Sequence, residues 1–136
     1  MDPYTLDRQV GFLMRRANQR HLALFAQGIP DLTPTQFAAL ARLCELGTAS
    51  QNALGRATAM DAATIKGVVD RLRRRGLVAA KRDPGDTRRM LLEPTEAGRA
   101  AFAELAPKAH AITKATLDPL DGTERETLLA LLERLA

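Results

Sequence analysis

The sequence predicts a mainly α-helical fold that carries one small β-hairpin, with helices on both sides of it. Apolar residues recur at three- and four-residue steps along most of the 136-residue chain, which is the spacing of one helix face. After Gly76 the pattern changes to two short apolar runs around a dense turn. Aromatic residues make up 4% of the chain, so the core must be built from aliphatic side chains, as in packed helices. The length favours a single domain.

Two helices are predicted before residue 48. The first spans about residues 6–27 and is broken by the Gly-Ile-Pro sequence at 28–30. The second begins after Thr33, a helix-capping residue, with Pro34 at its first position, and it ends at Gly47.

Two short helices follow in quick succession. Ser50 is placed to cap a helix over residues 51–58, and Asp61 to cap another that continues to residue 75. The second of these has an apolar face at i, i+3, i+4 and i+7, made of Ile65, Val68, Val69 and Leu72. Three arginines fill its last turn, where cations complement the helix dipole, and Gly76 ends it.

The hairpin and two further helices complete the chain. Strands over residues 77–82 and 89–93 flank an Asp-Pro-Gly-Asp turn, which predicts a hairpin with a long, charged tip. A helix over residues 95–117 should be kinked at Pro107. The last helix begins at about Gly122 or Thr123 and carries a leucine stripe: Leu128, Leu129, Leu132 and Leu135. So large a stripe favours a homodimer, although the leucines can also pack within one chain.

Positive charge is concentrated in one quarter of the chain. The net charge is +4, but residues 56–89 contain ten Lys/Arg and four Asp, a net charge of +6, so the remainder is net negative. Such a patch favours a polyanionic partner, and its alternative is a solvated basic face.

Other classes of protein find no support in the sequence. Its two His, one Cys and lack of a metal-ligand cluster or a Gly-rich phosphate loop argue against an enzyme, a cofactor and a metal site. One cysteine excludes an intramolecular disulfide. No apolar run approaches a membrane span, and the first residues do not resemble a secretory signal, so we expect a cytoplasmic protein.

The order of elements predicts a winged helix-turn-helix. Two short helices are joined by a few residues, and a basic hairpin follows at once. In such a fold the second helix enters the major groove of duplex DNA while the first braces it, and an Arg-rich hairpin tip can reach the neighbouring minor groove.

Several motifs of the chain resemble the multiple-antibiotic-resistance regulator (MarR) family. They are LTPTQF at residues 32–37, VDRL at 69–72, GLV at 76–78, DPGDTR at 83–88 and LEPTEAG at 92–98. The resemblance covers almost the whole chain, with Pro94 as a departure from the usual residue before Thr95. It implies one domain over residues 1–136, with a winged helix-turn-helix lobe at about 33–94 and dimerisation helices at about 1–30 and 95–136. It also implies a homodimeric, sequence-specific transcriptional regulator that binds a palindromic operator.

The DNA-binding residues are expected on three elements. On the recognition helix, Thr64 and Lys66 should reach base edges, small Ala62, Ala63 and Gly67 should allow close approach, and Arg71 and Arg74 should contact phosphates. On the bracing helix, Gln51 and Asn52 should meet phosphates. On the wing, Arg88 should enter the minor groove with Asp86 orienting it, and Arg82 and Arg89 should lie near phosphates. Alternatives are a merely tolerated glycine at 67 and a purely structural Asp86–Arg88 pair.

The resemblance also implies a repressor released by a small aromatic acid or related ligand. The expected site residues lie on the first helix, where Phe12, Arg16 and Arg20 share a face and His21 falls on the apolar stripe. Arginine offers a bidentate fork for a carboxylate. The alternative for His21 is a structural hydrogen bond at the dimer interface. A redox-sensing regulator that uses Cys44, and an architectural protein without sequence preference, remain open as alternative functions.

Overall fold

The computed structural model describes residues 2–136, and its order of elements is that of a winged helix-turn-helix. A 3₁₀ turn at Leu6–Arg8 precedes the regular elements. These are α1 (Val10–Gly28), α2 (Pro34–Leu46), α3 (Gln51–Ala57), α4 (Ala62–Arg74), β1 (Val78–Asp83), β2 (Asp86–Pro94), α5 (Glu96–Thr116) and α6 (Gly122–Leu135).

The chain divides into two compact units. One, here called the helical unit, comprises Met1–Gly28 and Lys108–Ala136, and the other, the winged unit, comprises Ile29–Pro107. The winged unit thus contains α2, α3, α4 and the hairpin. The helical unit contains α1 and α6, and α5 contributes residues to both.

Side-chain caps begin four of the helices, and three of these caps, Thr33, Ser50 and Asp61, were predicted from sequence. The hydroxyl of Thr33 accepts a hydrogen bond from the Gln36 N–H, and the Gln36 side chain accepts one from the Thr33 N–H, each at 3.2 Å. Ser50 caps α3, Asp61 caps α4 with a 2.7 Å bond from the Thr64 N–H, and Asp121 caps α6. These bonds satisfy amide groups that have no partner inside the helix.

The core of the winged unit is aliphatic, as the composition predicts. Its side chains that are essentially inaccessible to solvent include Leu40 and Leu43 of α2, Leu54 of α3, and Ile65 and Leu72 of α4. The opposite side of α4 is left exposed, because its apolar residues all lie on one face. Burial of this face fixes which side of α4 is available to a partner.

The end of α4 is tied to the start of α5. Gly76 has a φ of +73°, and the N–H groups of Gly76 and Leu77 bond the carbonyls of Arg73 and Leu72, which is a Schellman motif. The Thr95 hydroxyl donates to the Gly76 carbonyl at 2.6 Å, and the Thr95 N–H donates to the Leu77 carbonyl. Gly98 packs so closely here that an added Cβ would lie 2.0 Å from the Leu77 carbonyl oxygen.

The hairpin is antiparallel and is joined to the α2–α3 connection. Val78 pairs with Pro94 and Lys81 with Leu91. Ala49 forms an isolated bridge with Leu92, in which each residue's N–H donates to the other's carbonyl, at 3.1 and 2.8 Å. The base of the hairpin is therefore bonded to the residues just before α3.

Two predictions about the elements were wrong. The hairpin has a tight tip at Pro84–Gly85 rather than a long one, since Asp83 accepts from the Gly85 N–H and β2 starts at Asp86. The first helix begins at Val10 rather than at residue 6, because Gln9 is extended between the 3₁₀ turn and α1. The helix over Pro107 is a single element, α5, and its kink stays a prediction.

Candidate nucleic-acid interface and effector region

The first turns of α4 present small and polar side chains to solvent. Ala62, Ala63, Thr64 and Lys66 are exposed and Gly67 is half-buried. Ile65 and Val68, which alternate with them, point into the core. The structure therefore brings these sequence-predicted DNA-binding residues together on one open face, as a recognition helix requires.

Charged groups on α4 are paired through Asp70. The Lys66 ammonium lies 2.9 Å from the Asp70 carboxylate, and Arg74 Nε donates to the Asp70 backbone carbonyl at 3.4 Å. The hydrogen bond from Lys66, with the charges of Lys66, Arg74 and Arg73, lowers the pKa of Asp70. In the same way, hydrogen bonds from Thr64 lower the pKa of Asp61 at the start of the helix. Lys66 is thus held by Asp70, whereas the side chain of Arg71 makes no hydrogen bond or ion pair with any described residue.

Arg75, at the end of the recognition helix, has a structural partner. Its guanidinium donates to the Asp31 carbonyl, in the connection between α1 and α2. No local pattern reveals this contact, because the two residues are far apart in sequence.

The bracing helix α3 places its two predicted residues at its start. Gln51 is half-buried and Asn52 is exposed, directly after the Ser50 cap. Gly55 lies farther along the helix, where an added Cβ would be 3.1 Å from Ile65 and 3.2 Å from the Met60 carbonyl. The missing side chain allows α3 to approach the residues that position α4.

The three arginines of the wing are exposed, and each is bonded within the hairpin. The Arg88 side chain is 92% exposed, and Asp86 Oδ1 accepts bonds from its N–H at 3.1 Å and its Nε at 3.4 Å. Arg89 Nε lies 3.6 Å from Asp83, and Arg82 donates to the Thr87 carbonyl at 2.8 Å. Arg88 is therefore the wing residue best placed to reach a partner.

His21 and Arg20 of α1 are bonded to the end of α5, within the helical unit. Arg20 donates to the carbonyls of Thr116 and Ala115 at 2.6 and 2.9 Å. His21 Nδ1 lies 2.9 Å from the Thr116 hydroxyl, which donates its only proton to the Ile112 carbonyl. His21 Nδ1 must then carry the proton, and Nε2 is left as the acceptor of the neutral ring.

The other two effector residues lie nearer the start of α1. The Arg16 guanidinium lies 5.8 Å from the centre of the Phe12 ring, in reach of a cation–π contact, and Arg15 lies 5.7 Å from the same ring. Arg16 has no other partner among residues 2–136. Of the four predicted effector residues, Arg16 keeps its donors free and Arg20 does not.

Cys44 lies in a groove of about 520 Å³ between α2 and α5, lined also by Ala41, Glu45, Arg99 and Phe102. Burial raises the pKa of its thiol, and the charge of Arg99 offsets part of this effect. Because a raised pKa lowers the thiolate fraction, the structure gives the redox-sensing alternative no support. Within residues 2–136, no group of three or more His, Cys, Asp or Glu side chains is arranged to hold a metal ion.

These features define a winged helix-turn-helix DNA-binding protein of the transcriptional-regulator class: a recognition helix with an open polar face, a bracing helix and a wing with an exposed arginine. The part of the chain that the structure describes contains no helix long and apolar enough to span a membrane. Comparison with known proteins makes the assignment more specific. Residues 31–89 match the MarR family model, and the chain belongs to that family.

Three relatives are especially similar. The chain is 43% identical over 135 residues to the transcriptional repressor NicR of Pseudomonas putida, covering 98% of this chain and 85% of NicR. It is 55% identical to a probable transcriptional regulator from Pseudomonas aeruginosa, with a TM-score of 0.95 and coverage of 97% and 100% of the two chains. It is 43% identical to BpsR of Bordetella bronchiseptica, with a TM-score of 0.95 and coverage of 98% and 97%; the DNA binding of BpsR is regulated by 6-hydroxynicotinic acid.

Proposed function

We propose that this protein is a sequence-specific transcriptional repressor that is released from its operator by a small aromatic acid. One observation carries the DNA-binding part: the exposed face of α4 and the exposed wing residue Arg88 lie on the same winged unit. The effector part is supported by similarity to NicR, a repressor, and to BpsR, whose DNA binding responds to 6-hydroxynicotinic acid.

The proposed active form is a homodimer on a palindromic site. Each protomer would place the first turns of α4 in a major groove and Arg88 in the adjacent minor groove. In a two-fold dimer the recognition helices lie about 34 Å apart, one turn of duplex. Footprinting on an operator selected from random duplexes tests this, and a monomer bound to a single non-palindromic half-site would contradict it.

Arg88→Ala should weaken operator binding by roughly 1–3 kcal/mol, because the side chain is an exposed positive charge that a narrow minor groove attracts. The measurement is the dissociation constant at physiological salt. Arg42→Ala is the matched control, since Arg42 is an exposed arginine engaged by Glu45 and by the Ala57 carbonyl. Wild-type affinity in Arg88→Ala would exclude Arg88 from the interface.

The proposed effector site uses the guanidinium of Arg16 for the carboxylate and Nε2 of His21 for a ring hydroxyl or nitrogen substituent. Both groups are left available by their present partners. The two side chains leave α1 about 140° apart, since five residues separate them at 100° per residue. We therefore propose that Arg16 of one protomer and His21 of the other meet across the dimer.

6-Hydroxynicotinate should bind and lower operator affinity, and Arg16→Ala and His21→Ala should each weaken its binding. Linkage requires that operator DNA lower ligand affinity by the same factor. Calorimetric titration with and without operator measures both effects, and Arg15→Ala, which changes the neighbouring arginine on the Phe12 ring, is the control. Unchanged ligand affinity in both variants would place the site elsewhere, and an absence of coupling to DNA would remove the regulatory role.

A further inference from the structure

Two stripes of residues run along the exposed side of α4, and they differ in their partners. Lys66, Asp70 and Arg74 form the first at spacings of four residues, and they are bonded to one another. Ala63, Gly67 and Arg71 form the second at the same spacing. In the second stripe Arg71 is the sole long side chain, and it makes no hydrogen bond or ion pair with any described residue.

The Arg71 guanidinium lies back over Gly67. A Cβ built on Gly67 would be 3.8 Å from Arg71 Nη1, so the guanidinium occupies the space next to a position that has no side chain. Residues four apart are separated by about 6 Å along a helix axis. Arg71 thus carries its charge from the middle of α4 toward its first turns, which are the part of a recognition helix that contacts base edges.

We propose that Arg71 is the guanine-reading residue of α4, and that the missing side chain of Gly67 gives its guanidinium access to the base. This inference rests on the proposed DNA-binding function and changes the role expected from sequence, which was phosphate contact for Arg71. A guanidinium presents two parallel N–H donors that match O6 and N7 of guanine in the major groove.

The neighbouring cations are less suited to this role. The Lys66 ammonium must leave the Asp70 carboxylate, 2.9 Å away, before it can reach a base. Arg74 lies in the last turn of α4, and its Nε donates a hydrogen bond to the Asp70 carbonyl. The N–H donors of the Arg71 guanidinium have no partner among the described residues. The helix surface between this guanidinium and the first turns of α4 carries only the small residues Gly67 and Ala63.

The experiment replaces guanine by 7-deazaguanine, one position at a time, in an operator selected from random duplexes. This change removes the N7 acceptor and keeps base pairing. Wild-type protein should lose roughly tenfold in affinity at one guanine of each half-site. Arg71→Lys keeps the positive charge but removes the two parallel N–H donors. Gly67→Leu keeps Arg71 but fills the space next to its guanidinium. In both variants the 7-deazaguanine penalty should vanish. Arg73→Lys, the matched control on the same helix, should retain it.

The outcomes separate this inference from the proposed function. If wild-type protein selects an operator but tolerates 7-deazaguanine everywhere, or if Arg71→Lys shows the full wild-type penalty, the base-reading role is overturned. An Arg71→Lys variant that loses the same factor on operator and on random duplexes has lost a phosphate contact, which also overturns it. If wild-type protein selects no sequence, the proposed function fails as well. Circular dichroism and thermal melting confirm that each variant is folded.

Discussion

Replacing Leu132 and Leu135 of α6 by glutamate is expected to convert the protein to a monomer and to lower operator affinity by roughly 100-fold. No residue of α6 is fully buried within the described chain, and these two leucines are 43% and 70% exposed. Glutamate at both positions would bring charges into the apolar contact that we propose joins two protomers. A monomer binds one half-site only. It lacks the gain in affinity that a dimer obtains because its second lobe is held at high effective concentration near the second half-site.

Sedimentation and operator titration of the double variant test this prediction. Leu46→Glu is the matched control, because Leu46 is a leucine of the winged unit that is 50% exposed. The control should remain dimeric. A double variant that still sediments as a dimer would show that α6 leucines do not hold the protomers together, and a monomer with full operator affinity would contradict the two-half-site model.

Gly98→Ala is expected to destabilise the fold by about 3 kcal/mol, near the upper end of overpacking effects. The added Cβ would meet the Leu77 carbonyl oxygen at 2.0 Å, and this obstacle is backbone rather than the end of a flexible side chain. To remove this clash, α5 must move away from Gly76 and Leu77, the residues that follow α4. That movement stretches the hydrogen bonds from Thr95 to the carbonyls of Gly76 and Leu77. Urea unfolding monitored by circular dichroism measures the free energy of unfolding.

Gly122→Ala provides the comparison for this substitution. Gly122 is also a helix residue, at the first position of α6, but an added Cβ meets nothing within 4 Å. Alanine there should leave the free energy of unfolding unchanged or raise it slightly. Equal free energies of unfolding for Gly98→Ala and wild type would mean that Gly98 of α5 and the Leu77 backbone are not in the close contact described above.

Much of the winged unit could be predicted from sequence because its determinants are local. Thr33, Ser50 and Asp61 precede helices whose amides they cap, and the cap needs only the next three residues. The apolar face of α4 follows from spacing within one helix, so the opposite, exposed side could be assigned as well.

The side-chain partners could not be predicted, because they depend on contacts between distant residues. Arg20 was expected to bind a ligand, yet the end of α5 brings the carbonyls of Ala115 and Thr116 within its reach. Arg82 was expected near phosphates, but the tight hairpin places the Thr87 carbonyl beside it. In the sequence Gly98 is only the last residue of the LEPTEAG motif, and only the fold shows that the Leu77 backbone occupies the space of its side chain. Where Arg71 lies relative to Gly67 likewise depends on rotamers that periodicity does not specify.

The two-bond bridge between Ala49 and Leu92 has a mechanical consequence for the encounter with DNA. It fastens the hairpin base to the residues that lead into α3, and α3 in turn packs against α4 through Gly55. The hairpin and α4 are therefore connected through these contacts, and moving one without the other would break hydrogen bonds or packing contacts. Each half-site should be gained or lost in a single step, so dissociation traces of individual molecules should lack an intermediate held by the hairpin tip alone.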